Sequence, residues 1–164
     1  VRMKNGETIR LTSHEFAKHS LDAGDFYDFS EFNKIIKSAK PIDKHVDILK
    51  KALSNRTNRV TILTARSIPF PVTYWLKSVL DIDVYVVAVG GSDPNLKKRY
   101  IKKEIEKGYK NVFFIDDSPA NVMAVDSLKD EFPNVNIVTK LAKKEPSGDF
   151  NLRESIRKEL LKFL

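Results

Sequence analysis

Two spacings of apolar residues alternate along most of this chain. Short continuous runs of strand length occur at Val60-Thr61-Ile62-Leu63-Thr64, Val84 to Val89, Asn111 to Ile115 and Asn136 to Thr139. Between them, apolar residues recur every three or four positions. The sets are Ile42, Val46, Leu49 and Leu53; then Val72, Trp75, Leu76 and Val79; then Leu96, Tyr100, Ile101 and Ile105. That period places each set on one face of a helix. The runs suit strands covered on both sides, as in a parallel sheet. Pro41 suits the first position of the first helix. Asp93-Pro94 opens the third helix and Gly108 closes it. A helix to about Leu128 follows the third strand, residues 140–150 read as a loop, and Leu152, Ile156, Leu160 and Phe163 mark a last amphipathic helix.

The first forty residues follow a different pattern. Asn5-Gly6 between Val1–Lys4 and Glu7–Leu11 is a hairpin signal, because that pair suits a type I′ turn. Thr12 and Glu15 have capping-box spacing. Residues 20–33 are irregular and rich in Asp, Phe and Gly, and Ser30 is placed to cap a short helix through Ile36. The predicted organisation is a hairpin-and-helix flap over residues 1–40 and an α/β core over residues 41–164, together one domain. The fold class is α/β, a three-layer sandwich with a mostly parallel sheet.

Composition narrows the picture in three ways. At 164 residues the chain is long enough to bury a substantial core. It has no cysteine, which removes disulfide and thiolate chemistry and fits a reducing compartment. No stretch approaches eighteen consecutive apolar residues, so no membrane span or membrane partner is expected. The formal net charge of +7 comes with clusters at Lys97-Lys98-Arg99, Lys102-Lys103, Lys143-Lys144 and Arg157-Lys158. Such a surface attracts phosphates and nucleic acids, or is a solvated helix face. Aromatics are not interleaved with these clusters as on a base-stacking platform.

Candidate chemistry gathers where strands end. Asp116 and Asp117 close the run Val112-Phe113-Phe114-Ile115. In a parallel sheet that end faces the crevice where ligands bind. Paired carboxylates there suit magnesium, which takes hard oxygen ligands and keeps several waters; one of them could instead cap the next helix. Thr64 ends its strand in the same way. Its hydroxyl and the amide of Ala65 can donate to a phosphoryl oxygen, and Arg66 can hold a phosphate in two-pronged fashion. Lys97 or Lys98, early in a helix, can neutralise charge shared by phosphate and carboxylates.

Hydroxyl, lysine and paired aspartates, in that order, resemble the haloacid dehalogenase (HAD) superfamily of phosphohydrolases. The matching residues are Ile62-Leu63-Thr64 for the second motif, Lys97 or Lys98 for the third and Phe114-Ile115-Asp116-Asp117 for the fourth. Ser118 and Asn121 look like the tail of that fourth motif. The resemblance spans residues 42–128. The Asn5-Gly6 hairpin and Asp25-Phe26-Tyr27-Asp28-Phe29 look, more loosely, like HAD-type proteins of tailed bacteriophages. The resemblance implies that Thr64, Lys97 or Lys98 take part in catalysis, that Thr64 holds a phosphoryl oxygen, and that Asp116 or Asp117 holds Mg2+. With the residue reading above, the expected site is Thr64, Ala65 and Arg66 for phosphate and Asp116 and Asp117 for the metal. It also implies an aspartyl-phosphate formed on an Asp-x-Asp motif that ends the first strand.

That first motif is not recognisable in residues 1–164. Asp81-Ile82-Asp83 has the pattern but precedes its strand, at the wrong sheet edge. Two explanations stand: the motif lies upstream of Val1, or the domain binds without catalysis and serves as a binding or structural module. His14, His19 and His45 lack metal-site spacing, and Gly90-Gly91 lacks the residues of a P-loop. The expected function is magnesium-dependent hydrolysis of a phosphomonoester, a phosphorylated small molecule, nucleotide or nucleic-acid end. The expected location is the cytoplasm, the host's if phage-encoded, with a protein partner possible.

Overall fold

The computed structural model describes residues 5–11, 19–28, 30–35 and 39–142. Its elements are α1 (Asp43–Ser54), β1 (Thr61–Thr64), α2 (Phe70–Leu80), β2 (Tyr85–Ala88) and α3 (Pro94–Glu106), followed by β3 (Asn111–Asp116), α4 (Pro119–Asp126), α5 (Leu128–Glu131) and β4 (Asn136–Leu141). The architecture is mixed α/β with parallel strand pairs. Among the described residues β1 pairs with β2 and β3 pairs with β4, both in parallel. Thr64 lies opposite Ala88 and Asp116 opposite Leu141. Within each pair, therefore, the carboxyl ends are level. Helix α2 connects the first pair, and α4 with α5 connects the second.

Two apolar clusters form the core. One gathers Leu76, Ile82, Val84 and Val86 with Val46, Leu49, Ile62 and Trp75 against them. The other gathers Ile105, Phe114, Val125, Leu128, Val135 and Ile137, with Leu63, Ile101 and Val112 against them. Successive strand residues point to opposite faces, and β1 uses this directly: Ile62 packs into the first cluster and Leu63 into the second. β1 thereby ties the two strand pairs together. Arg59, just before β1, adds an ion pair to the buried Glu104 of α3 at 3.0 Å.

Several boundaries differ from the sequence expectation. Helix α1 begins at Asp43, with Ile42 extended before it, so Pro41 stands outside the helix and Ile42 is exposed rather than buried. Val79 is exposed as well; Leu80 and Ile82 pack in its place because Asp81 closes α2 in the left-handed region. Tyr85 is 61% exposed, so β2 is not covered on both faces along its length. Arg59 lies over the Tyr85 ring instead, 5.7 Å from its centre. The helix after β3 breaks at Ser127 into α4 and α5. β4 runs through Leu141, into the expected loop. Gly108 does follow α3, with a φ of +108° that L-residues avoid, and its amide bonds Ile105 O.

In the first forty residues, the Asn5 side chain turns the chain by accepting the Glu7 amide at 3.0 Å. Ser30–Asn33 is a single 3-10 turn. The Asp28 carboxylate accepts the Ser30 amide, so Asp28 rather than Ser30 starts it. The expected strand Val1–Lys4, the Thr12–Glu15 helix start, Ile36 and the last helix lie outside the described residues. No helix among those described is long and apolar enough to cross a membrane.

Candidate functional site

Asp116 is the last residue of β3, and its backbone carbonyl accepts the Ala142 amide at 2.7 Å. Its side chain is held from three directions. Oδ1 accepts the Ser118 amide and the Asn121 side-chain amide, each at 2.9 Å. Oδ2 accepts from Lys97 Nζ at 2.6 Å. Local sequence explains the arrangement. Pro119 starts α4 with a fixed φ, and Ser118 stays extended before it as the cap. The tight reversal brings the Ser118 amide back onto Asp116 and puts Asn121 in the first helical turn, facing it. Lys97 comes from the first turns of α3, whose start is set by Asp93 accepting the Asn95 amide at 2.9 Å.

Both partners are withdrawn from water, with side-chain exposures of 11% for Lys97 and 6% for Asp116. Desolvating two charges costs several kcal/mol each, on the order of what their attraction returns. The two amide donors on Oδ1 supply the additional hydrogen bonds that a buried ion pair needs.

The carboxyl end of β1 is arranged by its backbone. Val89 N bonds Thr64 O at 2.8 Å and Gly90 N bonds Arg66 O at 3.0 Å. Gly90 makes the second bond with a φ of +77°, a conformation that suits glycine. Thr64 Oγ1 accepts the Arg66 amide at 3.3 Å, which leaves its hydroxyl proton free to be donated outward. Ala65 is exposed. Arg66 is half-buried, and burial pushes its guanidinium below the usual arginine range.

The candidates thus divide. Lys97 and Asp116 meet. Lys98 turns to Ser127 at 2.9 Å and Glu131 at 2.8 Å, away from Asp116. Asp117 is exposed beside Asp116. Thr64, Ala65 and Arg66 share the β1 end without a hydrogen bond to the Lys97–Asp116 pair. Asp81 is a helix end paired with Lys77 at 2.7 Å, with 87% of its side chain exposed. His19 packs edge-on against Tyr27.

Among the described residues no group of three or more His, Asp or Glu side chains is placed to hold a metal ion. The donor set therefore does not fit a closed all-protein cage. It does fit magnesium, which binds through one or two carboxylates with waters and phosphate oxygens completing its shell. Asp117 is open to solvent, and Asp116 Oδ2 has taken one hydrogen bond, so acceptor capacity remains on both.

One feature escaped the sequence. Lys34, Lys40 and Trp75 join Arg66, Pro71 and Val72 around a pocket of about 190 Å³. Trp75 Nε1 donates to Ala39 O at 3.2 Å and fastens the residues before α1 to α2. Helical spacing put Trp75 on the buried stripe of α2, and nothing in the sequence linked it to Lys34 or Lys40. No protein-family model, curated protein or solved structure matches this chain.

Proposed function

We propose that this chain carries the phosphate- and metal-handling part of a magnesium-dependent phosphomonoester hydrolase of HAD type, built on a three-layer α/β sandwich. The observation that carries this is the buried contact between Lys97 Nζ and Asp116 Oδ2, with Ser118 and Asn121 fixing the same carboxylate. A carboxylate clamped at the end of a parallel strand, beside a desolvated ammonium, is preorganised for charge that develops on a phosphoryl group.

Each residue has a part. Asp116 and Asp117 would hold magnesium, which supplies Lewis-acid stabilisation of phosphoryl oxygens when bound. Thr64 donates its hydroxyl to a phosphoryl oxygen, with the Ala65 amide beside it. Lys97 neutralises charge shared between that group and Asp116. Arg66 contacts the phosphate from the other side. The nucleophilic aspartate would come from a strand outside the described ones. Attack by its oxygen forms the aspartyl-phosphate while the ester oxygen leaves and takes up a proton; water then cleaves the phosphate from the aspartate.

A phosphate-binding module without turnover is favoured by a different observation. Among the described residues, the carboxylates at or just after the carboxyl ends of the strands are Asp93, Asp116 and Asp117. Asp93 caps α3 and Asp116 is held by three donors. Neither is disposed as a nucleophile.

Turnover of para-nitrophenyl phosphate and mononucleotides by the full-length protein, with and without magnesium, separates the two. A hydrolase loses about a hundredfold or more in Asp117→Asn, an exposed change that leaves the fold intact. Asp116→Asn should lose at least as much. Turnover unchanged by both substitutions removes this metal site. Absence of turnover across a broad phosphate panel leaves the binding module.

A further inference from the structure

We infer that the pocket beside Arg66 binds a nucleoside 5′-phosphate unit, its base against Trp75, Pro71 and Val72 and its phosphate among Arg66, Lys40 and Lys34. This rests on the phosphate-handling assignment of the β1 end and adds the organic part of the ligand to it.

The lining has two chemical halves. Arg66, Lys34 and Lys40 supply three cationic side chains, and among the described residues no carboxylate belongs to the lining. Pro71, Val72 and the Trp75 ring supply an apolar wall on α2. An inorganic anion would use the first half only, and a neutral aromatic the second only. A phosphorylated nucleoside uses both. Arginine grips phosphate oxygens in a planar fork, and a base stacks on or against an indole whatever its identity. The volume of about 190 Å³ is below that of a site that encloses a drug-sized ligand, so it encloses part of a nucleotide, with the rest at its mouth, and is too small for a peptide.

The pocket is also pre-built. The bond from Trp75 Nε1 to Ala39 O fixes the indole and the backbone next to Lys40 together. Gly90 N holds Arg66 O from the β2 side. Arg66 follows Thr64 by two residues and its amide donates to the Thr64 hydroxyl oxygen at 3.3 Å, which ties the pocket's guanidinium residue to the end of β1. The net charge of +7 favours approach of anionic ligands.

Trp75 is the one tryptophan in the sequence, which makes indole fluorescence a reporter of this pocket alone. The full chain is titrated, without magnesium, with adenosine 5′-monophosphate, adenosine, inorganic phosphate and a 5′-phosphorylated tetranucleotide. Saturable quenching by the monophosphate, with adenosine at least tenfold weaker, supports the inference. Lys40→Glu, an exposed change at the rim, should weaken the monophosphate at least tenfold at low salt while the emission of the unliganded protein stays the same. If the tetranucleotide binds as tightly as the monophosphate, the pocket takes a nucleic-acid end; if it binds more weakly, the pocket takes the free nucleotide; either supports the inference. No quenching by either phosphorylated ligand, equal quenching by adenosine, or an unchanged affinity in Lys40→Glu overturns it. Quenching without turnover removes the hydrolase and keeps the pocket; turnover without quenching does the reverse.

Discussion

Lys97 and Asp116, nineteen residues apart in the chain, meet at 2.6 Å with both side chains almost out of water. Neighbouring Lys98 instead joins an open network with Ser127 and Glu131. The difference is one of helical phase: adjacent residues on α3 point about 100° apart. Lys97 faces the end of β3, and Lys98 faces α5. Removing the ammonium leaves Asp116 buried without its counter-charge, which costs about 3 kcal/mol or more. Lys97→Met should therefore lower the urea midpoint clearly and abolish any turnover. Lys98→Met should cost roughly 1 kcal/mol or less, because its partners are partly exposed. Equal losses in the two variants would remove the distinction.

The two capped helices should respond unequally to loss of their caps. Asp93 accepts the Asn95 amide at 2.9 Å, whereas Ser118 accepts the Asn121 amide at a longer 3.4 Å. A cap is worth about 1 kcal/mol. Asp93→Ala should cost about that much in chemical denaturation, and Ser118→Ala less. A larger loss in Ser118→Ala would mean that its hydroxyl does more than cap α4.

Stability should fall in acid through Glu131. Hydrogen bonds from Lys102 and then Lys98 hold its carboxyl at about 2, against an ordinary 4.5. A carboxyl lowered on folding stabilises the native state above the unfolded value and loses that contribution as pH falls toward the folded one. The window is therefore pH 4.5 down to about 2. Thermal melts of Glu131→Gln should show a shallower loss across that window than the wild type, most visibly at low salt because the network is exposed. Parallel slopes would exclude Glu131 as a contributor.

Leu128 and Met123 offer a contrast in burial five residues apart. Leu128 is fully buried and Met123 is 72% exposed. Leu128→Ala should cost about 3 kcal/mol, from lost transfer energy and the cavity left behind. Met123→Ala should stay within about 0.5 kcal/mol. Denaturant midpoints of the two variants check both.

Much of the α/β order was legible because each element announces itself locally. Ile62-Leu63 could be placed in a strand, and Ile101 and Ile105 on a helix face, from spacing alone. Asp116 and Asp117 could be put at a strand end because an apolar run stops there. The failures share a cause. Ile42 and Val79 have the right period yet sit at helix ends, where no neighbouring element covers them. Tyr85 reads as core and is exposed at the start of β2. Local pattern states which face is apolar, but not how far the opposing layer extends.

The sequence by itself determined the alternation of strands and helices, the helix start at Asp93, and the polar residues at the ends of β1 and β3. These depend on bonds and periods that span a few residues. Tertiary structure decided the rest: Lys97 over Lys98, the split of Ile62 and Leu63 between two clusters, and the meeting of Lys34 and Lys40 with Arg66 and Trp75. Those outcomes turn on the rotation of one element against another. That rotation is set by packing between residues far apart in the chain, and no local spacing encodes it.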